Sequence, residues 1–130
     1  MKFASRVFAA AGIYGLIVLV PQYFTEAKLG QDYPPAITHP EYYYGFLGAA
    51  ISWQIAFLVI SRDPIRYRTL MLPSILEKMF FGPVVVVLFI LQRASAMILG
   101  FAIVDMILAA LFLTAYLRTS PRNTHSQVDS

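Results

Sequence analysis

The chain has 130 residues, 58% of them hydrophobic and only 13% charged, with a mean hydropathy of +0.65. That charged share is about half that of a soluble domain, which excludes intrinsic disorder and argues against a soluble fold. The net charge of +3 is no nucleic-acid signal, because the basic residues flank apolar runs.

A helical membrane span needs about 20 residues, so this length has room for at most four spans and short loops. No separate soluble domain is expected. Cysteine is absent, which removes disulfides, a thiolate metal site and a cysteine nucleophile.

Lys2 and Arg6 precede an apolar run from Val7 to Val20. A basic start before an apolar stretch has the form of a signal peptide. Ala9-Ala10-Ala11 come too early for cleavage, however, and Pro21-Gln22 follow the run. The expectation is an uncleaved first span at 5–23, with Gly12 and Gly15 thinning one face for close helix contact.

Residues 22–41 form the only long polar stretch before the tail. Pro34, Pro35 and Pro40 preclude a continuous helix there, and a solvated loop is expected. Glu26, Asp32, His39 and Glu41 could ligate a metal, but their spacings match no site pattern, so no metal and no cofactor are expected. Tyr23, Phe24 and Tyr42-Tyr43-Tyr44 have the composition of an aromatic belt at one membrane face.

The second span is expected at 42–61. Gly45, Gly48, Ser52 and Ala56 fall on one face and predict tight packing against another helix. Gln54 either bonds across a helix interface or faces a ligand. In the loop SRDPIRYR, Arg62, Arg66 and Arg68 either bind anionic lipid headgroups or anchor the loop at the membrane edge.

The third span, 70–91, contains Pro73 and Gly82-Pro83, and Pro83 is expected to kink it. A tight connection over Gln92-Arg93-Ala94-Ser95 leads to the fourth span, 96–117. Ala102, Asp105 and Ala109 share a face there, so Asp105 is expected to point at a neighbouring helix. The tail, 119–130, is polar and expected to be disordered.

Lys2, Arg6, Arg62, Arg66, Arg68, Arg118 and Arg122 flank one side of these spans, against Lys28 and Arg93 on the other. This bias predicts cytoplasmic termini, a cytoplasmic arginine loop and an outward 22–41 loop, in a cell (inner) membrane of bacterial type.

Charges inside a span cost about 2.5–3.5 kcal/mol each on insertion scales and need partners or a task. At 1.5 Å per residue, Tyr14 lies about 12 Å beyond Arg6, Gln54 about 12 Å from Arg62, Glu77 and Lys78 about 13–15 Å from Arg68, and Asp105 about 19 Å from Arg118. These similar depths predict one polar layer of Tyr14, Gln54, Glu77, Lys78 and Asp105. Lys78 is expected to pair with Asp105, and Glu77 to be hydrogen-bonded by Gln54 or Tyr14, or protonated. If Pro73 instead marks the first turn of its helix, Glu77 and Lys78 lie only about 6–8 Å inside it, and Asp105 is the one deep charge.

Such a layer either fixes helix register or forms a ligand or proton site. The leading expectation is therefore a non-catalytic bilayer-embedded subunit or scaffold with a membrane-protein partner or a second copy. The alternative is an intramembrane pocket for a lipid-like or apolar small molecule, opened by the kinks, with acid–base chemistry by Glu77 and Asp105. A dimeric small exporter is disfavoured: the first span has no carboxylate, and the charge bias opposes dual insertion. Both histidines, His39 and His125, fall outside the spans, which disfavours haem. No nucleotide loop, nucleophile elbow or zinc-protease motif occurs.

The runs HPEYYYGF, WQIAFLVISRDPIRYR and LPSILEK resemble a family of small uncharacterised bacterial four-helix membrane proteins, a likeness that brings no function with it. In size and span count the chain is also similar to DoxX-like proteins and to the sterol-isomerase-like membrane fold, which implies a four-span bundle with a polar intramembrane pocket. The expected fold is all-α: an antiparallel four-transmembrane-helix bundle over residues 1–118.

Overall fold

A computed structural model describes residues 2–32, 34 and 37–119. The helices are α1 (Lys2–Gln22), α2 (Glu26–Asp32), α3 (Pro40–Arg62), α4 (Met71–Ile90) and α5 (Ala96–Arg118), with a 3₁₀ turn at Arg68–Leu70 before α4. The four long helices are each long and apolar enough to cross a membrane. They form an all-α bundle whose basic end carries Arg6, Arg62, Arg68 and Arg118. Within the 22–41 stretch, where no continuous helix is expected, the short helix α2 forms: EAKLGQD is rich in helix formers, and it ends before the prolines. The expected tail lies outside the described residues beyond Thr119.

Local chemistry sets the boundaries. Pro40 is at the start of α3, where its missing N–H is no loss. Asp63 closes the turn after α3, its Oδ1 accepting from Arg66 N at 3.3 Å and its carbonyl from Tyr67 N at 3.1 Å. Pro73 lies in the first turn of α4, whereas Pro83 lies inside that helix, which continues through it. The α4–α5 connection is a Schellman turn: Arg93 N donates to Leu88 O at 2.7 Å and Gln92 N to Phe89 O at 2.9 Å. Gln92 occupies the left-handed position with φ 60, where glycine is usual. Ser95 then caps α5 by accepting from Ile98 N. Gln92→Gly is expected to stabilise the protein by about 0.5–1 kcal/mol, since relief of the left-handed strain exceeds the added freedom of the unfolded chain. A raised thermal midpoint in mild detergent is the readout; a lowered one would mean the glutamine side chain itself holds the turn.

Helix α1 packs most closely on α3 and α4 on α5, while α1 and α5 join the two pairs and α3 barely meets α4. The core lies toward the basic end and contains Ala4, Phe8, Ala11, Phe57, Ile60, Met71, Phe112 and Ala115. Phe8 stacks on Phe112 with centroids 4.2 Å apart, and Phe57 sets its edge against both at 6.0 and 5.0 Å. Inside a bilayer such packing replaces hydrophobic exclusion as the cohesive term, and each aromatic pair adds about 0.5–1.5 kcal/mol. At the basic end Ser5 Oγ donates to Ser61 O at 2.6 Å, linking α1 to α3.

Close approach of α1 and α3 depends on Gly12 and Gly15. A Cβ on Gly12 would fall 2.8 Å from both Gln54 O and Leu58 Cγ, and one on Gly15 would fall 2.0 Å from Gln54 Oε1. The other small-residue face behaves differently from expectation. A methyl added at Gly45 or Gly48 would meet nothing within 4 Å, and Ser52 is exposed, bonding Gly48 O of its own helix at 2.8 Å. Helix α3 instead turns Leu47, Ala50, Gln54, Phe57 and Ile60 inward, and the small stripe lies on the outside of the bundle. At the opposite end Tyr23, Phe24, Tyr43 and Tyr44 gather into an aromatic cluster. Tyr44 there donates to Glu26 Oε2 at 2.9 Å, and Tyr43 to Gln22 O.

Candidate functional site

The inward face of α4 carries Met71, Ser74, Lys78, Gly82 and Val85 at helical three- and four-residue steps. Gly82 lets α5 come close: a Cβ there would lie 2.5 Å from Met106 Cγ and 3.3 Å from Ala102 O. That approach brings Asp105 of α5 beside Lys78. Lys78 Nζ lies 3.4 Å from Asp105 Oδ1 and 3.6 Å from Glu77 Oε2. The lysine is only 3% exposed, and Asp105 and Glu77 are partly buried. Below the ammonium lies the Phe57 ring of α3, 5.2 Å from Nζ, a distance at which a ring face attracts a cation. One ammonium is therefore shared by two carboxylates over an aromatic floor. Three of the four long helices contribute to this layer.

The other two residues of the expected layer stand apart. Gln54 is 1% exposed, but its Nε2 donates to Ala50 O of its own helix at 2.9 Å, and its Oε1 is buried against Gly15 with no donor among the described residues. Tyr14 is half-buried and within electrostatic range of Asp105. Among the described residues neither bonds to Glu77, whose partner is Lys78; the expected Gln54 or Tyr14 bond to Glu77 is thus corrected. An amide on a helix can reach the carbonyl four residues back, and here that local bond wins over the cross-helix one. Phe57 joins the layer without having been expected there. Its position three residues beyond Gln54, on the same face of α3, is the signal that could have placed it.

The arginine loop divides its labour. Arg68 Nε donates to Tyr116 O at 3.2 Å, and its guanidinium lies 3.7 Å from the Tyr116 ring centroid. It thereby clamps the 3₁₀ turn to the C-terminal end of α5, where a cation also meets the negative end of the helix dipole. For Arg68 this is a contact within the protein, of the loop-anchoring kind. Arg66 lies 5.4 Å over its neighbour Tyr67. Arg62 lines a shallow open groove of about 320 Å³ with Lys2, Ser5, Arg6, Ser61 and Pro64. A second open groove, of about 470 Å³, lies between α1 and α5 and is lined by Phe3, Arg6, Val7, Ala10, Leu108, Leu111 and Arg118. Neither groove touches Glu77, Lys78 or Asp105.

The acidic and histidine residues before α3 do not converge. His39 Nδ1 meets Glu41 Oε1 at 3.3 Å, while Glu26 is engaged by Tyr44. Among the described residues no three such side chains cluster as metal ligands. No family model, no curated protein and no solved structure matches this chain.

Proposed function

We propose that this chain is a non-catalytic membrane subunit or scaffold, seated in a bacterial inner membrane with both termini and the arginine loop on the cytoplasmic side. The observation that carries this reading is the self-contained charged layer. Lys78 is buried between its two carboxylate partners and the Phe57 ring, and the grooves at the basic end are lined by other residues. One ammonium serves both carboxylates, and its contact with Asp105 fixes the register of α4 on α5. The outward Gly45–Gly48–Ser52 stripe supports the same reading, since a small-residue face in a bilayer lets another helix come close. The cytoplasmic placement rests on the excess of Lys and Arg at the basic end.

Native mass spectrometry of the protein released in mild detergent tests the proposal. A persistent second copy or protein partner, lost on Gly48→Leu while the monomer's thermal midpoint holds, is the expected result. A bound apolar small molecule that disappears on Glu77→Gln or Asp105→Asn would overturn it in favour of an intramembrane pocket.

A further inference from the structure

Arg6 and Arg118 both line the groove between α1 and α5. Among the described residues no carboxylate pairs with either. Arg118 lies 4.5 Å over the Phe3 ring, a distance at which a ring face attracts a cation. Deeper in the groove the wall is purely aliphatic: Val7 and Ala10 from α1, Leu108 and Leu111 from α5. Leu108 is ten residues from Arg118, so the wall runs about 15 Å inward from the basic mouth. Arg6 also lines the adjoining groove, whose other walls include Lys2 and Arg62. The mouth of the groove is thus cationic on both flanks, and among the described residues no acidic side chain lines either groove.

We propose that this groove seats an anionic glycerophospholipid of the bilayer, with its phosphate between Arg6 and Arg118 and the upper part of an acyl chain along Ala10, Leu108 and Leu111. The two halves of the groove match the two halves of such a molecule. A forked guanidinium pair suits phosphate oxygens, and the aliphatic wall lies on the bilayer side of the mouth, where an acyl chain already runs. A free phosphate would use the arginines and leave the wall unused. Basic pockets between spans on the cytoplasmic side are the geometry in which anionic headgroups are held. This site is separate from the charged layer and does not depend on its role.

The test supplies the full-length protein in mild detergent with equal amounts of palmitoyl-oleoyl phosphatidylglycerol, phosphatidylethanolamine and phosphatidylcholine, and reads the retained lipids by native mass spectrometry. Phosphatidylglycerol is expected to be retained about tenfold over either zwitterionic lipid, a preference that arginines near the headgroup supply at a few-fold each. Arg6→Gln with Arg118→Gln should bring the three lipids to near parity, whereas Arg93→Gln at the opposite end should leave the preference intact. Ala10→Trp keeps every charge and fills the aliphatic wall, so it should release phosphatidylglycerol; it also serves if the double arginine variant does not fold. Equal retention of all three lipids by the wild type would overturn the proposal. So would an unchanged preference in the Arg6/Arg118 variant or in Ala10→Trp. Full displacement by excess inorganic phosphate would reassign the groove to a soluble anion.

Discussion

Lys78→Met is expected to destabilise the bundle by about 3–5 kcal/mol, because it leaves carboxylates inside the membrane span without their cation. The structure makes the effect asymmetric. Lys78 Nζ serves both Asp105 at 3.4 Å and Glu77 at 3.6 Å. Asp105→Asn therefore leaves the lysine one carboxylate partner and should cost less, about 1–3 kcal/mol. Combining Lys78→Met with Asp105→Asn should recover part of the lysine loss, and adding Glu77→Gln should recover most of it, since no charge then remains unpaired in the layer. Thermal unfolding in detergent of the two singles and their double gives the Lys78–Asp105 coupling, and the triple adds the contribution of Glu77. Strict additivity would mean that the three groups do not act as a unit.

Gly15→Ala should cost about 1–3 kcal/mol, well above its usual effect in a helix, where alanine is the better helix former. Its new methyl would lie 2.0 Å from Gln54 Oε1 and 2.3 Å from Gln54 Cδ, and Gln54 is fully packed. Gln54 would have to leave its seat, break its bond to Ala50 O or push α3 outward. Removing the obstacle gives the control: Gln54→Ala in the same chain should recover most of the loss. A Gly15→Ala protein as stable as the wild type, or one not rescued by Gln54→Ala, would show that α1 and α3 do not meet through this contact. By contrast a Cβ at Gly48 meets nothing within 4 Å, so Gly48→Leu should leave the isolated monomer within about 0.5 kcal/mol.

Much of this architecture is legible in the sequence because its signals are long or costly. Four apolar runs separated by prolines and charges announce spans to within a few residues. The charges at Lys78 and Asp105 cost enough in a bilayer to demand partners, and helical rise alone puts them at one height. What stays hidden is the direction in which a helix faces. In water the polar side of a helix points outward, but here both the lipid side and the packed side are apolar, so composition does not distinguish them. The glycines of α1 and of α3 look alike in sequence; those of α1 meet Gln54 and Leu58, while Gly45 and Gly48 meet nothing. The partners of Gln54 and Arg68 are hidden because each bonds a backbone carbonyl, an acceptor that every residue offers and no sequence pattern marks. The groove between α1 and α5 joins residues about a hundred positions apart, beyond the reach of any local reading.

The charged layer also bears on how the chain enters a bilayer. Glu77, Lys78 and Asp105 all belong to α4 and α5, which are joined by the tight turn at Gln92. Helix α4 threaded alone would carry an ammonium and a carboxylate into hydrocarbon, and α5 alone would carry a second carboxylate. Within α4 the lysine already lies beside Glu77; as a preformed hairpin it also meets Asp105, so the carboxylate of α5 enters lipid together with its cation. The first hairpin, α1 with α3, has no charge at comparable depth and needs no such companion. The loop after Asp63 therefore separates a segment that can insert helix by helix from one that inserts as a unit.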